Sequence, residues 1–168
     1  MSHGVMVMVL IVYYSWQGHT EKVARALAER VGGRLARIEP VSEVGTLRKA
    51  MMATFGMRAA IHPTETDLSG VDFLIVATPV WAQKAPPYVN EYLSRVTNAS
   101  GKPFSVLVEM GNSGAEKVVA IVRKSLEAKG MRFVSSATTL ESDVDAGRFD
   151  RTVEEFARTI VEAAAPAA

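Results

Sequence analysis

The sequence predicts an α/β fold: a three-layer sandwich on a five-stranded parallel sheet in the order 2-1-3-4-5. Three observations predict it. Apolar segments run on continuously instead of alternating with polar residues, as strands do when helices cover both their faces. Segments with apolar residues at helical spacing separate them, and clusters of Gly, Ser, Thr and Pro stand where the apolar segments end.

Residues 5–14 form the first apolar run, and their β-branched content and the Ser/Gly cluster after them select a strand over a short buried helix. From Thr20 the period changes: Val23, Ala24, Leu27, Ala28 and Val31 fall on one helical face, and Gly32-Gly33 supplies a stop. Residues 34–39 are shorter and more charged, which suits an edge strand. Across residues 40–70 the pattern weakens. Leu47, Ala50, Met51, Thr54 and Phe55 hint at a helix that Ile61-His62-Pro63 breaks, and Met51, Met52, Phe55 and Met57 read either as a pocket wall or as helix-packing surface.

Residues 71–77 are the next buried strand, ended by Thr78-Pro79, and Pro86-Pro87 opens a helix carrying Val89, Leu93 and Val96. Residues 104–110 follow as a third buried strand, leading into Gly111-Asn112-Ser113-Gly114 and a helix marked by Ala115, Val118, Val119, Val122 and Leu126 that ends at Gly130. Residues 133–140 make a further strand, and Phe149, Val153, Phe156, Ala157 and Ile160 mark the last helix. Strands alternating with helices imply right-handed crossovers and a doubly wound sheet.

A length of 168 residues suits one domain, with residues 1–4 and 163–168 expected to be loose. Nineteen basic residues offset eighteen acidic ones, and no Lys/Arg cluster supplies the electrostatic footprint of a nucleic-acid binder. The absence of cysteine excludes disulfides, thiolate metal sites and cysteine nucleophiles together. His3 and His62 have no Asp, Glu or His at ligand spacing, so no metal is expected. The longest apolar run, of about ten residues, is too short to span a bilayer and lacks the flanks of a signal peptide, which points to a cytoplasmic protein.

In an open parallel sheet, ligands bind beyond the carboxyl ends of the strands where strand order reverses, here between the first strand and the strand at residues 71–77. The first loop there, Ser15-Trp16-Gln17-Gly18-His19-Thr20, offers two hydroxyls, an amide and an imidazole around a glycine, at the start of a helix with unsatisfied N–H groups. Ser15 or Thr20 alone could simply cap the helix, but the pair around Gly18, with no acidic residue before Glu21, favours a phosphate site. The loop is not a triphosphate P-loop, because no Lys-Ser/Thr pair follows the glycine, and it is not a dinucleotide fingerprint, because Gly18 stands alone.

Tyr14-Ser15-Trp16-Gln17-Gly18-His19-Thr20-Glu21 resembles the S/T-x-T-G-x-T phosphate loop of flavodoxins and flavodoxin-like FMN proteins. Thr78-Pro79-Val80-Trp81-Ala82, followed by Pro86-Pro87, resembles the second flavin loop of that family, and Glu109-Met110-Gly111-Asn112-Ser113-Gly114 falls where its glycine-rich third loop would. The resemblance implies a flavodoxin-like fold holding FMN. Ser15, Trp16, Gln17, Gly18, His19 and Thr20 would lie around the phosphate, Thr78, Pro79, Val80 and Trp81 along the isoalloxazine, and Met110, Gly111, Asn112, Ser113 and Gly114 at its other edge. Trp81 is a natural stacking or edge partner, its plainer reading being a partly buried core or interface residue, while Trp16 reads equally as a ligand flank or as surface packing. Gln17 and His19 depart from the family's Ser/Thr and Asn, and the net charge of +1 departs from the acidity of electron-shuttling flavodoxins.

The implied function is redox chemistry: electron transfer to a partner protein, or NAD(P)H-dependent reduction of a quinone-like acceptor, with a homo-oligomer as one possible state. The contrasting reading is a flavodoxin-fold interaction module that has lost flavin binding, which Gln17 and His19 keep open. A phosphoacceptor receiver domain is excluded because Tyr14-Ser15 and Ala77-Thr78 stand where its acidic residues would be, and no G-x-S-x-G elbow supports a serine hydrolase.

Overall fold

In the computed structural model, which describes residues 6–43 and 45–165, five strands form one parallel sheet. In chain order the elements are β1 (Val9–Tyr13), α1 (His19–Val31), β2 (Arg34–Arg37), α2 (Thr46–Thr54), β3 (Phe73–Pro79), α3 (Pro87–Arg95), β4 (Pro103–Met110), α4 (Ala115–Glu127), β5 (Arg132–Leu140), α5 (Glu141–Asp145) and α6 (Asp150–Ala164). The strand order is β2-β1-β3-β4-β5, as the sequence predicts.

Strand periodicity divides the core in two. Leu10, Val12, Leu74, Val76, Phe104, Val106 and Val108 point to one face, where α3 (Tyr88, Val89, Tyr92, Leu93) and α4 (Val118, Val122, Leu126) cover them. Their neighbours Val9, Ile11, Tyr13, Phe73, Ile75, Ala77 and Leu107 point to the other, under α1 (Val23, Ala24, Leu27) and α6 (Val153, Phe156, Ile160). Both faces are buried along β1 and β3, which explains why those runs show no polar alternation.

The first strand is shorter than residues 5–14. β1 is paired over Val9–Tyr13, because its neighbours begin at Arg34 and Phe73. Just upstream, the Met8 N–H donates to the Asp72 carboxylate at 2.8 Å, and the Asp72 and Phe73 N–H groups donate to the Met8 carbonyl. The same clamp moves the start of β3 two residues past the expected Val71. β2 stops at Arg37, although Ile38 still donates to the Tyr13 carbonyl at 2.7 Å.

Two helices differ from expectation. α4 ends at Glu127, and a turn carries the chain to Gly130. α6 continues to Ala164, so the alanine stretch expected to be loose is partly helical; Met1, Ser2, His3 and Gly4, and Pro166, Ala167 and Ala168, lie outside the described residues. The short α5 was not anticipated. Residues 40–70 hold α2, an antiparallel bridge between Pro40 and Ile61, and buried Ile61 and Leu68.

Candidate functional site

The carboxyl ends of β1, β3 and β4 open on a cavity of about 160 Å³ lined by residues from four segments of chain. Ser15, Trp16, Gln17, His19 and Thr20 come from the β1–α1 loop and helix start, and Pro79, Val80 and Trp81 from the end of β3. Glu109, Met110 and Gly111 follow from β4, and Glu141 from α5. The structure thus brings together most of the residues singled out from the sequence. Thr78 stands inside β3 with its hydroxyl donating to the Pro79 carbonyl at 2.9 Å, and Asn112, Ser113 and Gly114 stand behind the lining.

The first loop is shaped for an anion. Gly18 caps α1 in the left-handed region (φ 93°), a conformation that costs glycine little, and no side chain caps the helix. The first intrahelical bond runs from the Lys22 N–H to the Gly18 carbonyl, so the N–H groups at the opening of the helix keep no partner within it. Ser15 Oγ accepts the Gly18 N–H at 3.1 Å, which braces the loop and leaves the hydroxyl hydrogen free to donate. Neither Ser15 nor Thr20 acts as the helix cap. Beneath the loop, Arg37 donates to Glu21 at 3.2 Å and to the Ser15 carbonyl at 3.4 Å. Glu21 is held below the usual carboxylate range, first by its hydrogen bond from Arg25.

The other two loops are tied to each other. Gln83 donates to Ser113 Oγ and accepts from Lys117 Nζ, both at 2.9 Å. Gly114 (φ 101°) makes the approach possible: a Cβ there would lie 2.7 Å from Val80 Cγ1 and 3.3 Å from the Gln83 backbone. Ser113 and Gly114 therefore brace the Trp81 loop.

Carboxylates that sequence reasoning missed stand on the inner wall. Glu109, only 7% exposed, has its pKa raised by burial and by the charges of Glu141 and Asp145, against the opposing pull of His19 and a Thr20 hydrogen bond. His19 Nε2 lies 2.8 Å from Asp145 Oδ1 and 4.0 Å from Glu141 Oε1, and donor atoms of the three residues all lie within 4.8 Å of one another. The imidazole is thus partnered by α5, an element whose five residues bury only Val144 and so leave almost no apolar signal.

Aromatic rings form the outer wall. Trp81 meets Trp16 edge-on at 6.2 Å between centroids, and Tyr14 at 5.4 Å. Both Trp16 and Trp81 also line a second cleft of about 230 Å³ with Thr46, Lys49, Ala50, Val80 and Ala82. Of the residues weighed as a pocket wall, Met52 is buried, while Met51, Phe55 and Met57 are exposed and outside this lining. No helix among the described residues is long and apolar enough to cross a membrane.

The sequence profile of the flavodoxin family matches residues 8–132. Two curated relatives, both called NAD(P)H dehydrogenase (quinone), come from Acidovorax ebreus (32% identity over 93 residues, 54% of this chain and 46% of the relative) and Methylocella silvestris (41% over 76 residues, 44% and 38%). These matches span less than half the length of the relatives. Among solved structures, a flavoprotein from Bacteroides uniformis superposes with a TM-score of 0.74 at 18% identity, covering 92% of this chain and 99% of that one. A Lactobacillus acidophilus flavoprotein, solved in complex with FMN, gives 0.69 at 18% identity, covering 84% and 98%.

Proposed function

The chain belongs to the flavodoxin family, and from that premise we propose that it binds FMN in this cavity and passes electrons from NAD(P)H to a quinone-like acceptor, in the cytoplasm. One observation carries the reading: a helix N-terminus with no side-chain cap opens on a cavity walled by two tryptophans. The names of the relatives favour the nicotinamide donor and the quinone acceptor.

The residues present fit the cofactor. The opening N–H groups of α1, the Ser15 hydroxyl and the Gln17 and Thr20 side chains would hold the phosphate. Pro79, Val80, Trp81, Met110 and Gly111 offer the flat, largely apolar surfaces that a three-ring system needs. Bound FMN supplies the electron chemistry, and no side-chain acid or base need take part in it. Trp16 and Trp81 shield the cavity from water, and the Gln83–Ser113 contact fixes the loop that carries Trp81. Glu109 opposes a phosphate only when ionised, and its raised pKa moves that ionisation to higher pH.

The test is anaerobic mixing of FMN-loaded protein with NADH and with NADPH. Bleaching of the flavin absorbance by at least one, followed by reoxidation on adding a naphthoquinone, is the expected result. Protein that bleaches with dithionite but with neither nucleotide would contradict the reductase reading and indicate a carrier. Glu109 and Glu141 also favour a second reading, an interaction module without flavin, which a protein that is colourless once unbound FMN has been removed would support.

A further inference from the structure

Lys49 lies on α2, outside every motif described above, and it is 6% exposed. A buried ammonium is costly unless its charge is met. Among the described residues its only hydrogen-bond acceptor is Glu43, 2.7 Å from Nζ. Nζ also faces the rings of Trp16 at 4.6 Å and Trp81 at 5.3 Å. An ammonium has three donors, and here one carboxylate and two rings face them.

The partner lies on the surface. Glu43 is 60% exposed and stands ahead of α2, so water competes for its carboxylate. The cation is built in and its anion is replaceable. The second cleft, lined by Trp16, Lys49, Ala50 and Trp81, adjoins the proposed flavin cavity through the shared residues Trp16, Val80 and Trp81. Tyr14 closes the same aromatic cluster, and its buried hydroxyl has no hydrogen-bond partner among the described residues.

We propose that this cleft is the acceptor subsite, that it takes planar aromatic acceptors bearing a negative charge, and that Glu43 marks the place of their anionic group. The ring lies against Trp16 and Trp81, the anionic substituent replaces the Glu43 carboxylate on Lys49, and Glu43 swings into solvent. Lys49 then sets specificity between charged and uncharged quinones. This rests on the reading that the adjoining cavity holds FMN.

The experiment titrates FMN-loaded protein with a naphthoquinone sulfonate and with the uncharged parent quinone, by calorimetry and by tryptophan fluorescence. The chain has only two tryptophans and both wall this cleft as well as the first cavity, so with FMN already bound a further change in emission on titration reports on the cleft. Wild type is expected to bind the sulfonate about tenfold tighter. Lys49→Met removes that preference, Lys49→Arg keeps it, and Glu43→Gln tightens the sulfonate severalfold while leaving the uncharged quinone unchanged. Equal affinity of wild type for the two quinones, or a Glu43→Gln protein no tighter for the sulfonate, overturns the proposal. Glu43 is on the surface, so that arm stands even if Lys49→Met fails to fold. Flavin absorbance is read on the same samples: failure to take up FMN overturns the reading of the first cavity, whereas uptake without charge preference overturns only this one.

Discussion

At the scale of single residues, Glu109 exerts the sharpest control over the proposed phosphate site. Burial raises its pKa, so the folded state keeps the neutral acid to higher pH than the unfolded chain does. The sign follows from linkage: the cost of burying its charge is absent below the ordinary carboxylate pKa, grows as pH rises from there to the raised value, and is constant above it. FMN affinity is expected to fall as pH rises through and above the raised value, because an ionised Glu109 repels the phosphate. Glu109→Gln should flatten the pH profile of FMN binding and stabilise the free protein on the alkaline side, checked by fluorescence titration and thermal melts across pH. A wild-type profile already flat would contradict this. Gly114 supplies a second test. Alanine there meets both a left-handed backbone and a Cβ contact of 2.7 Å with Val80, so Gly114→Ala should cost about 1–3 kcal/mol in denaturant unfolding and weaken FMN by displacing Trp81.

At the scale of elements, α5 contributes charge to the site and little to stability. Asp145 is 63% exposed, and pairs this exposed are typically worth less than about 1 kcal/mol. The double variant Glu141→Gln, Asp145→Asn should therefore melt close to wild type yet bind FMN more tightly, since two negative charges leave the phosphate's surroundings. Legibility in the sequence differed by element for physical reasons. β1 and β3 were readable because both faces are buried, and α1 because Val23, Ala24 and Leu27 face the sheet. α2 misleads: Leu47 (86% exposed), Met51 and Phe55 point to solvent while Lys49, Met52 and Ala53 are buried. Its apolar spacing suggested a helix but put the wrong face inward, which hid Lys49. α5 was invisible because one buried valine makes no period, and with it went Glu141 and the partner of His19.

At the scale of the whole molecule, the fold gathers at one end of the sheet what the chain scatters from Ser15 to Glu141. The two faces of the sheet hold separate apolar cores, and the loops above them are cross-tied by Gln83 and packed through Val80, Trp81 and Met110. The rim carries the polar groups while the strands fix its position. The central claim is that the rim holds FMN, and titration of the purified chain with FMN tests it most directly. The account expects saturation at one FMN per chain, with a Kd of about 1 μM or tighter and with both flavin and tryptophan emission changing together. Flavin emission that stays at its free value, with unchanged tryptophan emission, would contradict it.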